Sequence, residues 1–176
     1  MPVSNENILI GITGPESTGK STLSSQLAEY FHGAWIPEFA RLYLGKNSHY
    51  QFSDYLAISR AQLNRQIFER HRSRGMILFD TEETVIKLWG EVKFGHFPNM
   101  LQKLYVQCQC DYYLLMCPDL PWEFDPLREN PNDRDLLFEK YIEVLTVEKK
   151  PFSTISGVGD IRLQNAIKSI KKVIEL

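Results

Sequence analysis

The stretch Gly14-Pro15-Glu16-Ser17-Thr18-Gly19-Lys20-Ser21 fits G-x-x-x-x-G-K-[ST] and limits what the chain can fold into more than any other segment. Ahead of it, Ile8-Leu9-Ile10-Gly11-Ile12 is an apolar run of strand length. Behind it, Leu23, Leu27 and Phe31 recur at helical spacing between Ser21 and His32. A strand that turns through glycine into a helix leaves unpaired backbone N–H groups aimed at one point, where the helix dipole adds positive potential. Gly14 and Gly19 allow backbone angles and close approaches that a Cβ obstructs. With them, Ser17, Thr18 and Thr22 complete a cradle for phosphate oxygens. Lys20 can reach the β- and γ-phosphates, and the Ser21 hydroxyl can ligate Mg²⁺. The expected ligands are ATP and Mg²⁺.

At 176 residues the chain is long enough for a single domain, 1–176, with a central sheet covered on both faces. Its apolar share of 43% suits a globular interior, and no apolar run reaches membrane-spanning length. A net charge of -2 argues against a nucleic-acid partner, which calls for a basic face. The short polar stretch Met1 to Asn7 shows no secretory pattern, so the expected location is the cytoplasm. Cys108, Cys110 and Cys117 form neither a C-x-x-C pair nor a disulfide framework and read as reduced, mostly buried thiols. His32, His49, His71 and His96 lack metal-ligand spacing.

The remaining chain alternates short apolar runs with amphipathic ones. Ala34 to Pro37 is expected as a second strand, and Glu38-Phe39-Ala40-Arg41 opens a helix behind Pro37. After a polar break from Asn47 to Phe52, Ser53 is the expected N-cap of a long helix running from Asp54 to about Arg74. Leu56, Leu63, Ile67 and Phe68 form its inner side. Met76 to Phe79, Tyr112 to Met116 and Phe152 to Ile155 are further strands. Helices carry Val85, Ile86 and Trp89, then Pro98 to Gln107, then the segment capped by Asp133 and ending near Lys149, then Ile161 to Ile174. Segment 118–134 holds Pro118, Pro121, Pro126 and Pro131 among charges and reads as a lid. The pattern predicts an α/β domain: a five-stranded parallel sheet with helices on both faces, the Asp80 strand lying beside the phosphate-loop strand.

Asp80 ends an apolar strand, where a carboxylate can hold Mg²⁺ directly or through water. It can also cap the helix that Asp80-Thr81-Glu82-Glu83 opens. Glu38 lies at the carboxyl end of the second strand and is expected to converge with Asp80 and Lys20 on one crevice. One carboxylate then places the metal while the other accepts a proton from an alcohol; as a first-turn acid, Glu38 can instead serve the helix dipole. Arg128 and Arg134 flank Glu129 to Asp133 in the lid. Guanidiniums there either neutralise developing phosphoryl charge or pair locally with those acids. Trp122, between Asp119 and Asp125, either stacks on a planar ring, best a cationic one, or pins the lid to the body.

Taken in order, the residues form a recognisable series. The phosphate loop, Pro37-Glu38-Phe39-Ala40-Arg41, Gln62, Asp80-Thr81, Trp89, Pro118-Asp119 with Trp122, Asp125 and Arg128, and Arg134 resemble one known family over nearly the whole chain. It is the ribosylnicotinamide kinase domain at the C-terminus of the bacterial NAD-biosynthesis regulator, with its stand-alone relatives. The resemblance implies a P-loop NTPase fold of the nucleoside- and nucleotide-kinase type. It also implies ATP-dependent phosphorylation of the 5′-hydroxyl of nicotinamide riboside to nicotinamide mononucleotide. By that resemblance Trp122 stacks on the nicotinamide ring, Glu38 or Asp125 bonds ribose, and Arg41 and Asp54 lie nearby. No H-x-G-H adenylyltransferase signature occurs, because Gly95-His96-Phe97-Pro98 does not supply one, and no DNA-binding domain is legible. Only the kinase step is implied. Two other readings stand beside it. One is a kinase for another small hydroxyl substrate such as a deoxynucleoside. The other is a nucleotide-dependent switch, although N-K-x-D and D-x-x-G are both missing and Asp80 is followed by Thr81-Glu82-Glu83.

Overall fold

Side chains on both faces of every central strand are apolar, so the sheet has to be covered twice. In β1 (Ile8–Thr13), Ile10 and Ile12 point to one side and Leu9 to the other. The computed structural model describes residues 7–45 and 49–174; the opening residues 1–6 and residues 46–48 of the polar break lie outside the described residues. The other strands are β2 (Ala34–Ile36), β3 (Met76–Asp80), β4 (Tyr112–Met116) and β5 (Phe152–Ile155). All pairings are parallel, in the order β2-β3-β1-β4-β5, which puts the Asp80 strand against the phosphate-loop strand, with Ile12 opposite Asp80. The sheet is the expected one.

One face packs on α1 (Lys20–Phe31) and α7 (Asp160–Ile174) through Leu23, Leu27, Ile167 and Ile170. The opposite face carries α4 (Glu83–Phe94) and α6 (Arg134–Val147) through Leu88, Tyr141 and Leu145. A third cluster joins α3 (Phe52–Arg72) and α5 (Asn99–Gln107) to α4 around Tyr55, Leu63, Ile86 and Leu101. The short α2 (Phe39–Leu44) buries none of its residues. No helix or strand occurs between β4 and α6. No helix among the described residues is long and apolar enough to cross a membrane. The three cysteines are free thiols, two of them buried.

Three local expectations need correction. The long helix α3 begins two residues early, with Gln51 at its N-cap and Ser53 already inside the first turn. Asp54 is the reason, since its carboxylate accepts the Gln51 N–H at 2.8 Å and closes the turn from the N3 position. Phe68 is 59% exposed rather than inward, because α3 is covered along only one stripe. Asp133 occupies the N-cap position of α6 but makes no side-chain capping bond.

Beneath the sheet's loop-bearing end lies a buried polar knot. Lys150 Nζ, 2% exposed, meets the Glu83 carboxylate at 3.2 Å, the Thr84 hydroxyl and the Tyr105 hydroxyl, while the Tyr113 hydroxyl donates to Glu83. Burial and then Glu82 push the Glu83 carboxyl up, and Lys150 pulls it back. Replacing Lys150 with methionine leaves Glu83 buried beside Glu82 without a counter-charge, a lesion that costs about 3–5 kcal/mol in comparable pairs. A glutamate whose folded pKa stands above its unfolded value contributes stability that is present below the unfolded value and lost as pH rises through the folded one. Denaturant melts of Lys150→Met should therefore show a stability that falls more steeply than the parent's from mildly acidic to mildly alkaline buffer. A pH-independent deficit would mean that Lys150 acts only by packing.

Candidate active site

Strand β1 ends in the phosphate loop, whose shape depends on glycine at two points. Gly14 has φ 126°, and a Cβ there would stand 2.9 Å from the Met116 carbonyl oxygen; Gly19 has φ 78° and opens α1. The Thr18 hydroxyl donates to the Pro15 carbonyl at 2.8 Å and closes the loop. From α7, the Arg162 guanidinium bonds the Thr18 carbonyl at 2.8 Å and pairs with Asp119, tying loop to lid base. Lys20 folds back over the loop, with Nζ donating to the Gly14 and Pro15 carbonyls at 2.8 and 2.7 Å. Burial lowers its pKa, against the pull of Glu38, Asp80 and Glu16.

This loop floors a cavity of about 760 Å³. Gly14, Ser17, Thr18, Gly19, Lys20, Ser21 and Thr22 all line it, as do Glu38, Arg41 and Arg128. Glu38 sits at the N-cap position of α2 yet makes no capping bond, which leaves its carboxylate facing the cavity, 3.4 Å from the Arg41 guanidinium. Burial first, then Asp80, raise its pKa, while Lys20 and Arg41 pull it down. Asp80 is 2% exposed, and α4 is capped by Glu82 instead, which accepts the Thr84 N–H at 2.6 Å. Burial raises the Asp80 pKa, and a hydrogen bond from Ser21 lowers it. Its Oδ1 is buried without any hydrogen-bond partner.

That orphan oxygen beside the Ser21 hydroxyl suits Mg²⁺. Among the described residues no group of three or more His, Cys, Asp or Glu side chains gathers to form an all-protein cage. Mg²⁺ in a phosphate site keeps water and phosphate oxygens as most of its ligands, so one carboxylate and one hydroxyl fit it.

Segment 118–134, the expected lid, lies against the loop. Ser17 Oγ accepts the Glu123 N–H at 2.9 Å and the Arg128 guanidinium at 3.0 Å. The Glu16 carboxylate accepts the Glu129 and Asn130 N–H groups at 2.9 and 3.0 Å. The two lid arginines part company here. Arg128 lines the cavity; Arg134 does not, and instead donates to the Leu120 and Ser17 carbonyls at 2.8 and 3.4 Å.

Three residues expected on the substrate side lie outside the cavity lining. Trp122 lies outside the cavity lining, its ring 5.9 Å from the Arg134 guanidinium. Asp54 lies outside it too, its oxygens taken by the Gln51 N–H and the Tyr43 hydroxyl. Asp125 is paired with Arg41 at 2.7 Å and accepts the Leu127 N–H, and the Arg41 bond holds its carboxyl below the usual range. The aromatic residues that do line the cavity are Tyr50, Trp89 and Tyr141, with the Trp89 indole N–H donating to the Tyr50 hydroxyl at 2.6 Å. Lys93 stands 3.7 Å from the Tyr50 ring centroid and pairs with Glu129 of the lid. The sequence gives little signal for these groups. Glu16 fills an unspecified motif position, and Trp89 recurs at core spacing with Val85 and Ile86.

Known proteins resemble the chain in sequence and in fold. Over 160 residues the chain is 26% identical to the trifunctional NAD biosynthesis/regulator protein NadR of Escherichia coli (strain K12), covering 82% of this chain and 39% of that one. The chain thus spans about two-fifths of the curated relatives it matches. A crystal structure of NadR in complex with NAD and AMP-PNP superposes with a TM-score of 0.74 at 19% identity, covering 94% of this chain and 49% of the other. Deoxyadenosine kinase from M. mycoides superposes with a TM-score of 0.61 at 16% identity, covering 96% and 100%. These structures share the P-loop kinase fold. Residues 9–162 match the profile of the AAA domain family, and the chain belongs to that family.

Proposed function

We propose that the protein is an ATP-dependent kinase that phosphorylates the 5′-hydroxyl of a small riboside, nicotinamide riboside foremost, to give the mononucleotide. One observation carries the reading. A phosphate loop and an open carboxylate line one cavity, a buried carboxylate with an orphan oxygen stands behind them near Ser21 and Lys20, and a lid brings an arginine to the loop. A switch protein needs no proton acceptor facing an enclosed cavity; a phosphotransferase to an alcohol does.

The loop N–H groups and Lys20 hold the phosphates in place. Ser21 and Asp80 are the residues that would hold Mg²⁺, which when bound neutralises charge on the β- and γ-phosphates. Glu38, whose proton affinity is raised by its surroundings, accepts the alcohol proton as the oxygen bonds to the γ-phosphorus and the bond to the ADP oxygen breaks. Arg128 meets the charge that spreads over the transferring group, and the closed lid keeps water from competing as acceptor. The acceptor ring lies against Tyr50 and Trp89. The NadR structures solved with NAD or with NR support a nicotinamide-bearing acceptor, as does the sequence likeness to NadR. One observation favours a neutral base as the second reading: the Lys93 ammonium already occupies a face of Tyr50.

The division of labour between the carboxylates has its own test. Asp80→Asn should lose activity that higher Mg²⁺, or Mn²⁺, partly restores, because the lesion is in metal placement. Glu38→Gln should lose roughly 10²–10⁴ in kcat and regain nothing from metal, because a proton acceptor is gone. Titrating both variants with each metal decides it, and the reverse pattern of rescue would exchange the two roles.

A further inference from the structure

We infer that Gln62 is a positioning residue, its carboxamide tying the segment that carries Glu38 to the segment that carries Asp80 and so setting the spacing of the two carboxylates. The inference rests on the roles proposed above for that pair. Gln62 lies within α3 and is 1% exposed. Its Oε1 accepts the Phe39 N–H at 2.9 Å, and its Nε2 donates to the Thr81 carbonyl at 2.9 Å. A donor on one side and an acceptor on the other allow only one orientation of the amide.

Both partners are backbone groups at the ends of short elements. Phe39 is the first residue of α2, directly after Glu38, and its N–H is one of the donors a helix start leaves unpaired. That helix buries no residue of its own, so packing does not fix it. Thr81 directly follows Asp80 and has φ 70°, a left-handed conformation that a β-branched residue adopts only when its surroundings impose it. Its hydroxyl is buried without a partner and its N–H meets the Ile12 carbonyl at a long 3.4 Å, so the bond to Gln62 is the restraint on its carbonyl side. The same amide therefore restrains the residue after each carboxylate. Gln62 also reaches the cavity lining, with a second N–H and a second lone pair left over, so acceptor binding is a separate outcome of the test.

Two variants separate the halves of the clamp. Gln62→Met loses both bonds; Gln62→Glu keeps an acceptor for Phe39 and loses the donor to Thr81. ATP affinity is measured by titration calorimetry in EDTA and in Mg²⁺, without any acceptor, alongside kcat, KM and thermal melts. Both variants should bind ATP in EDTA as the parent does, since the phosphate loop is untouched. The gain in ATP affinity on adding Mg²⁺ should shrink by roughly tenfold, because Asp80 is no longer held. With acceptor present, kcat should fall roughly tenfold to a hundredfold at unchanged acceptor KM, and excess Mg²⁺ should restore Gln62→Glu more than Gln62→Met. A parent-like Mg²⁺ gain in both variants overturns the inference, even where melting falls. So does a raised acceptor KM at parent kcat, which would make Gln62 an acceptor contact. Absence of transfer to any alcohol by the parent would remove the kinase reading, and the Mg²⁺ gain alone would then decide the role of Gln62.

Discussion

Lys20→Ala is expected to lower turnover by at least roughly 10²–10³ while leaving the circular dichroism spectrum and the melting temperature close to the parent's. In the folded chain the Lys20 ammonium bonds only loop carbonyls, those of Gly14 and Pro15, and belongs to none of the apolar clusters. Its removal leaves the Thr18 bond to Pro15 and the Arg162 bond to Thr18 to hold the loop. What is lost is a cation poised among Glu38, Asp80 and Glu16, ready to leave two neutral carbonyls for a phosphate that bears full charge. Near-normal initial rates in a variant with an unchanged spectrum would remove Lys20 from the chemistry.

Arg128→Ala is expected to lower kcat by about 10³–10⁵, and Arg134→Ala by far less, although both residues sit in the lid. Arg128 faces the cavity from Ser17 Oγ, at the rim of the loop, where charge develops on the transferring group. Arg134 is committed to the Leu120 and Ser17 carbonyls and to the Trp122 ring, and its loss loosens the lid. Arg128→Lys should recover little, since an ammonium does not reproduce the planar fork. Single-turnover rates at saturating ATP separate chemistry from binding. A greater loss from Arg134 than from Arg128 would mean that the lid closes further on substrate and exchanges the two guanidiniums.

Much of this was legible in the sequence because parallel strands read as short apolar runs, and each run here ends at a turn signal. The phosphate loop and Asp80 follow from position alone, one from its motif and the other from the end of an apolar strand. Glu38 was legible as a carboxylate at a strand's end, but not that its helix would leave it uncapped. The two indoles show where the reading stops. Trp122 stands among polar residues and suggests a ring-stacking role, whereas Trp89 has core spacing, yet Trp89 lines the cavity and Trp122 stands outside its lining beside Arg134. Spacing assigns a side chain to a helix face, and only the packing of α4 against the lid decides what that face looks onto. Asp54 shows a related limit: a carboxylate three residues past a helix start serves the turn, and its spacing does not reveal that. Glu16 stands where the motif accepts any residue, so its grip on the lid backbone leaves no trace in the pattern.

The central claim is that this cavity passes the γ-phosphoryl group of ATP to the 5′-hydroxyl of a riboside. Its most direct measurement is a product assay in which the protein, ATP and Mg²⁺ meet nicotinamide riboside, the neutral ribonucleosides and the deoxynucleosides separately. Mass spectrometry identifies the phosphorylated species, and a coupled reaction counts ADP. The account predicts nicotinamide mononucleotide in equal amount to ADP, with a kcat/KM above that for any neutral nucleoside. A monophosphate made preferentially from a deoxynucleoside would move the acceptor to a neutral base, and ADP released with no phosphorylated riboside or nucleoside would contradict the claim.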